Sequence, residues 1–258
     1  MFRLLAAAVL ALPLSASAYV VFESVEGEVT AGVHKKVQVR QGERIVHRAM
    51  PIATGPGAKA MLRFDDGLRI LLHENSELRI WDYIYTPADM RYNYVVLDLM
   101  RGSGRFVMGS IARNNPRTGF QLMTPQAYLQ AKGGADFAAA IVNPLYLSVN
   151  AGSVLATNNY GAFSFSAGSS AAVATNAAMP VAVPASSLPA QASAAFGNLN
   201  TVAMASPGGA ASGAAFGTAG GTGFTVPAVA AGAAALGLGV AAARSNSKSP
   251  VSHSATNH

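Results

Sequence analysis

Twelve acidic residues, five histidines and no cysteine set the chemistry open to this chain of 258 residues. Without thiolates there are no disulfides and no cysteine-built zinc site. His34, His47 and His73 lie in the first third, His253 and His258 at the end, and none pairs with another at the i, i+4 spacing of a helical metal motif. They read as isolated surface imidazoles, so neither a metal nor a cofactor is expected. Asp65 and Asp66 are the obvious carboxylate pair, but neighbours in an extended or turning chain point to opposite sides, which suits a turn with Asp66-Gly67 at its apex better than shared acid/base work. Glu74 and Glu77 flank Asn75 as another polar turn. Ser103 and Ser110 lack a Gly-x-Ser-x-Gly context, and Gly102-Ser103-Gly104 leads into a further strand instead of the helix a phosphate loop requires. The chain is therefore expected not to be an enzyme. Its aromatic residues offer binding instead: Trp81, Tyr83 and Tyr85 share one face of an extended segment, where they would stack on a sugar, bury a peptide partner, or pack back onto the fold.

Short strands must position these groups. Ala60, Leu62 and Phe64 alternate with Lys59, Met61 and Arg63, and Leu68, Ile70 and Leu72 resume the alternation after Asp66-Gly67. Gly55, Gly57 and Gly102 punctuate the region at strand-length intervals, as do Gly27, Gly42 and Gly104, so Gly55, Gly57, Asp66, Gly67 and Gly102 are expected to be structural turn positions. No helical period is evident between Tyr19 and Ala167. The fold class is all-β.

Upstream, Met1-Phe2-Arg3, an uncharged run to Leu14 and the small residues Ala16-Ser17-Ala18 have the pattern of a secretory signal cleaved after Ala18. Export to the periplasm or cell envelope follows as an expectation. It bears on the net charge of +6, because nucleic acid is then not a partner. Lys35, Lys36, Arg40, Arg44 and Arg48 would instead meet an anionic envelope polymer, lipid headgroups or an acidic protein, or form a solvated face interleaved with carboxylates.

Charge then divides the chain: all twelve acidic residues lie between Tyr19 and Asp136, and no charged residue occurs from Phe137 to Ala243. Strand alternation continues through Leu145, Leu147, Val149, Val154, Phe163 and Phe165, which places the β domain at residues 19–168. Residues 169–223, rich in Ala, Ser and Gly, read as a disordered linker or stalk. Residues 224–243 form an uncharged segment long enough for an apolar helix, inserted in or associated with a membrane, self-associating, or part of a disordered tail; a polar tail of residues 244–258 follows.

The order of these turns resembles the FecR domain. The stretches that carry the resemblance are Gly27-Glu28-Val29, Ile52-Ala53-Thr54-Gly55-Pro56-Gly57-Ala58-Lys59-Ala60-Met61-Leu62-Arg63-Phe64-Asp65-Asp66-Gly67, Ser76-Glu77-Leu78-Arg79-Ile80, Leu99-Met100-Arg101-Gly102, Thr124-Pro125, Gly134-Ala135-Asp136-Phe137 and Gly152-Ser153-Val154. The family tends to carry a threonine before the Asp-Phe pair, where this chain has Gly134-Ala135. Its signalling members also begin with a cytoplasmic segment and a transmembrane helix, where a cleavable signal is expected here. The resemblance implies stacked short strands, β-solenoid-like or a rolled sheet, with free edges that invite strand addition. The leading expectation is an envelope binding or scaffolding protein engaging a protein or an anionic or saccharide polymer. The alternative is a sensory or regulatory component of an envelope signalling or iron-uptake system.

Overall fold

The computed structural model describes residues 18–33, 36–45 and 49–204. The signal pattern through residue 17, His34, His47, His253, His258 and residues 224–258 lie outside them. The described chain is built on one sheet of fifteen strands, mostly antiparallel, and the all-β expectation holds.

The first strands are β1 (Val20–Glu26), β2 (Val29–Ala31), β3 (Val37–Gln38), β4 (Arg44–Ile45), β5 (Met50–Thr54), β6 (Lys59–Phe64), β7 (Arg69–Leu72) and β8 (Glu77–Ile84). Three long strands follow, β9 (Tyr94–Val107), β11 (Tyr128–Ile141) and β12 (Leu145–Thr157), with the short β10 (Phe120–Met123) after α1 (Ser110–Asn114). The last strands are β13 (Ala162–Ser166), β14 (Ser170–Val173) and β15 (Val181–Val183), and α2 (Ala190–Asn200) closes the described chain.

Pairing divides this sheet into two layers. The front layer runs β3, β2, β5, β8, residues 94–101 of β9, β10, residues 128–132 of β11, residues 153–157 of β12, and β13. The back layer runs β4, β1, β6, β7, residues 102–107 of β9, residues 136–141 of β11, residues 145–149 of β12, β14 and β15. One apolar core joins them, drawing Phe22, Leu62, Phe64 and Ile70 from the back and Ile52, Leu78, Leu97 and Leu129 from the front. The alternation read from the sequence is realised here: Ala60, Leu62 and Phe64 are fully buried while Lys59, Met61 and Arg63 are half-buried on the opposite side.

The fold lines between layers lie at opposite ends of the two halves. In the first half the chain turns from layer to layer at Gly27, Gly57, Asn75 and Gly102, all with positive φ. In the second half it turns at Gly133, Gly152 and Gly168, again with positive φ, at the other end of the strands. Gly102 therefore does not end a strand as a turn would; it bends β9 from the front layer into the back one. At φ +80° a side chain would be strained, and a Cβ there would run into the backbone of Ser76. Thr54, Ser76 and Ser103 lie side by side along this first fold line: the Ser76 amide donates to Thr54 Oγ1 (2.9 Å) and the Ser103 amide to Ser76 Oγ (2.9 Å). These hydroxyls satisfy backbone donors that the bend removes from the regular ladder.

Each half is open opposite its fold line, and polar contacts close the openings. At the first, the Asp66 carboxylate accepts from the amides of Leu68 (3.1 Å) and Ile111 (3.3 Å), tying the β6–β7 turn to the start of α1. At the second, Gln126 Nε2 donates to Asn143 Oδ1 (3.2 Å) and Asn158 Nδ2 to the carbonyl of Ala178 (2.7 Å).

The sheet does not stop at Gly168. Strands β14 and β15 and helix α2 occupy residues 170–200, a stretch whose composition suggested a disordered linker, so that expectation is corrected for these residues. Small residues suffice because they are added at the edge of an existing sheet: Ala171 and Val173 are fully buried against it. Helix α2 lays Ala192, Phe196 and Leu199 over Leu71, Ala138 and Ala140, on the outer side of the back layer.

Candidate interaction surface

With α2 on the back layer, the outer side of the front layer is the face where exposed aromatic, acidic and basic side chains meet. Strand β8 runs through it. Its pairing with β9 slips by one residue between Ile80 and Asp82, a bulge that re-aims the side chains beyond it. Leu78 and Ile80 point into the core opposite Leu99 and Leu97, and after the bulge Tyr83 takes the core side opposite Val95. Trp81 and Asp82 are thereby both left on the outer side.

The expected common face of Trp81, Tyr83 and Tyr85 is therefore divided. Trp81 is 41% exposed. Tyr83 packs edge-on against Phe64 (5.1 Å, 83°), and its hydroxyl oxygen accepts from the Asp66 amide (3.0 Å). Burial, followed by the nearby Asp66 charge, pushes the Tyr83 hydroxyl far above the usual phenol range. Tyr85 stacks on Tyr83 (6.4 Å, 4°). Both tyrosines belong to the closure of the first opening, and of the three aromatic residues Trp81 alone is exposed.

Around Trp81 the structure assembles Arg79 and Tyr94, which the sequence offers as a basic and an aromatic residue, with two carboxylates that it did not single out. The Arg79 guanidinium lies 5.0 Å from the indole centroid. The Tyr94 hydroxyl donates to Asp82 Oδ2 (2.6 Å), fixing that carboxylate beside the ring. Asp98 stands opposite Arg79 in the β8–β9 ladder. Together Trp81, Asp82, Tyr94, Val96, Asp98 and Met123 line an open depression of about 650 Å³. Asp82 and Asp98 could have been noticed only through the β8–β9 register, because the bulge that gathers them leaves no mark in the alternation.

A second concavity of about 560 Å³ lies at the opening of the second half, bounded by Arg101, Gln126, Asn143 and Gln191. Gln126 is nearly buried there and spans the gap to Asn143.

The remaining turn residues are placed as parts of the scaffold. Gly55 donates its amide to the Glu28 carbonyl (2.9 Å), Gly57 takes φ +67° before β6, and Gly67 takes φ +88° between β6 and β7. Asp66 is buried, which raises its carboxyl above the ordinary value of 3.8, partly offset by the amides it accepts from. Several arginines are paired: Arg69 with Glu23 (3.1 Å), Arg101 with Glu77 (3.1 Å) and Arg105 with Asp136 (2.6 Å). These pairs interleave the two signs of charge across the strands. Among the described residues no three His, Asp or Glu side chains converge as metal ligands, and no helix is long and apolar enough to cross a membrane.

Comparison with known proteins places this scaffold. No curated protein matches the chain. Two crystal structures of a candidate anti-sigma factor from Parabacteroides distasonis align with it at 16% identity and a TM-score of 0.40; each alignment covers 52% of this chain and 58% of the length of that one. The FecR protein family model matches residues 50–155, the segment from β5 through most of β12 that includes the bend at Gly102, the bulge of β8 and the Trp81 depression. Residues 50–155 of the chain are thus a match to the FecR domain.

Proposed function

We propose that this chain is a regulatory component of cell-envelope signalling, exported through its N-terminal leader, whose FecR domain acts by binding a protein partner and not by catalysis. The observation that carries the reading is the FecR match over residues 50–155, which takes in both layers of the domain and its exposed front face. A rigid two-layer scaffold with an open face and a free strand edge suits recognition. Strand β13 supplies that edge, since among the described strands it pairs with β12 alone and carries neither charge nor proline.

A scaffolding role is the second reading, favoured by the uncharged run from Phe137 to Ala243, which would extend or tether the domain, with residues 224–243 as the membrane-associating part. Deleting the gene and profiling transcripts separates the two. The regulatory reading predicts a reproducible change in a limited set of transcripts, restored by the full-length chain. Unchanged transcripts combined with a weakened envelope, read as sensitivity to detergent and osmotic shock, would replace it with the scaffolding role.

A further inference from the structure

Trp81 is the sole tryptophan of the chain and is more exposed than a ring of its size needs to be to pack on a sheet. Trp81 faces outward in step with the alternation after Ile80, and the bulge between Ile80 and Asp82 turns Asp82 to the same side. The surroundings of Trp81 are built from the outer face of both strands of the β8–β9 ladder and from β10: Arg79 against the ring, Asp82 held by the Tyr94 hydroxyl, Asp98 across from Arg79, with Val96 and Met123 as apolar lining.

From this arrangement we propose that the depression at Trp81 is a binding subsite for a neutral saccharide chain. An indole face presents apolar surface to the C–H groups of a sugar ring, while flanking carboxylates accept from its hydroxyls and a guanidinium donates to them. The mixed charge of the site disfavours a uniformly charged occupant. A polyanion would meet the carboxylates of Asp82 and Asp98, and an ammonium group would leave the Arg79 guanidinium without an acceptor, whereas a sugar hydroxyl both donates to the carboxylates and accepts from the guanidinium. A polyhydroxylated neutral ligand meets a donor and two acceptors. The open form of the depression suits one unit of a longer chain passing over it, and not an enclosed small molecule.

The inference is independent of the regulatory reading: it is tested by binding to purified protein, whereas that reading is tested on transcripts, so either fails without the other. Because Trp81 is the single tryptophan, emission excited selectively at the indole and not at the eight tyrosines reports this site alone. The purified full-length chain is titrated with hexamers of β-1,4-linked N-acetylglucosamine, β-1,4-linked glucose and α-1,4-linked glucose, and with hexalysine and hexaglutamate as charged arms. At least one neutral hexamer is expected to change the emission and saturate in the millimolar range or below, and neither charged peptide to do so. By calorimetry, Trp81→Ala should weaken that binding about tenfold or more, Asp98→Asn several-fold, and Trp81→Phe less than Trp81→Ala. Tyr160→Ala, at an exposed tyrosine outside the depression, should leave it unchanged. Failure of all three neutral hexamers to saturate by about 10 mM overturns the proposal, as does saturation by hexalysine or hexaglutamate, or wild-type affinity in both Trp81→Ala and Asp98→Asn.

Discussion

Asp66, which is buried, and Arg105, which is partly so, fasten different pieces of this fold to the sheet. Asp66 sits at the first opening, with its carboxyl raised above the ordinary value by burial. An acid that holds its proton more tightly when folded adds stability below its unfolded value, and that contribution is lost as pH rises through the folded one. The stability of the wild type relative to Asp66→Asn is therefore expected to fall as pH rises from about 4 toward neutrality, measured by urea unfolding at a series of pH values. A flat difference would mean that Asp66 does not ionise in a buried site. Arg105 does a different job: it grips Asp136 through two nitrogens (2.9 and 2.6 Å) and donates to the carbonyls of Leu199 and Val202 at the end of α2. Removing it leaves a mostly buried carboxylate without its cation, so Arg105→Ala should cost about 3 kcal/mol and expose the amides of α2 to hydrogen exchange. Protection of α2 equal to that in the wild type would contradict this role.

Bends set the architecture at the scale of elements. Gly102 carries β9 between layers at φ +80° with Ser76 packed against its α-carbon, so Gly102→Ala combines left-handed strain with a steric clash. It should destabilise the domain by more than the roughly 1–2 kcal/mol of the strain alone, read as a lower urea midpoint, whereas Gly42→Ala, with open space around it, should cost only that strain. Equal losses at both positions would show that the Ser76 contact is not tight. These glycines were legible in the sequence as punctuation, and Ala60, Leu62 and Phe64 as a buried face. Whether a glycine ends a strand or bends it was not legible, because both need the same positive φ. The bulge at Trp81 was invisible for a related reason: three aromatic residues at a spacing of two keep the strand period even when pairing slips beneath them. Helix α2 did leave a signal in Ala192, Phe196 and Leu199, spaced i, i+4 and i+7, but the many small residues around them masked the stripe.

For the whole molecule, an open sheet is folded over twice, with fold lines at opposite ends, so that a single core serves both halves. One outer side carries α2 and the other presents Trp81 between two β8–β9 carboxylates. The family was legible from the order of short turn motifs, which survive because each sits at a bend the backbone requires. The partner was not, since a binding face is assembled across strands by register. The regulatory reading assigns its effect to the FecR domain itself, and complementation measures that directly. In a strain lacking the gene, transcripts altered by the deletion should return to wild-type levels with the full-length chain and stay altered with a chain lacking residues 50–155 that is still exported and accumulates. Full restoration by the shortened chain, or no altered transcript in the deletion strain, would contradict the account.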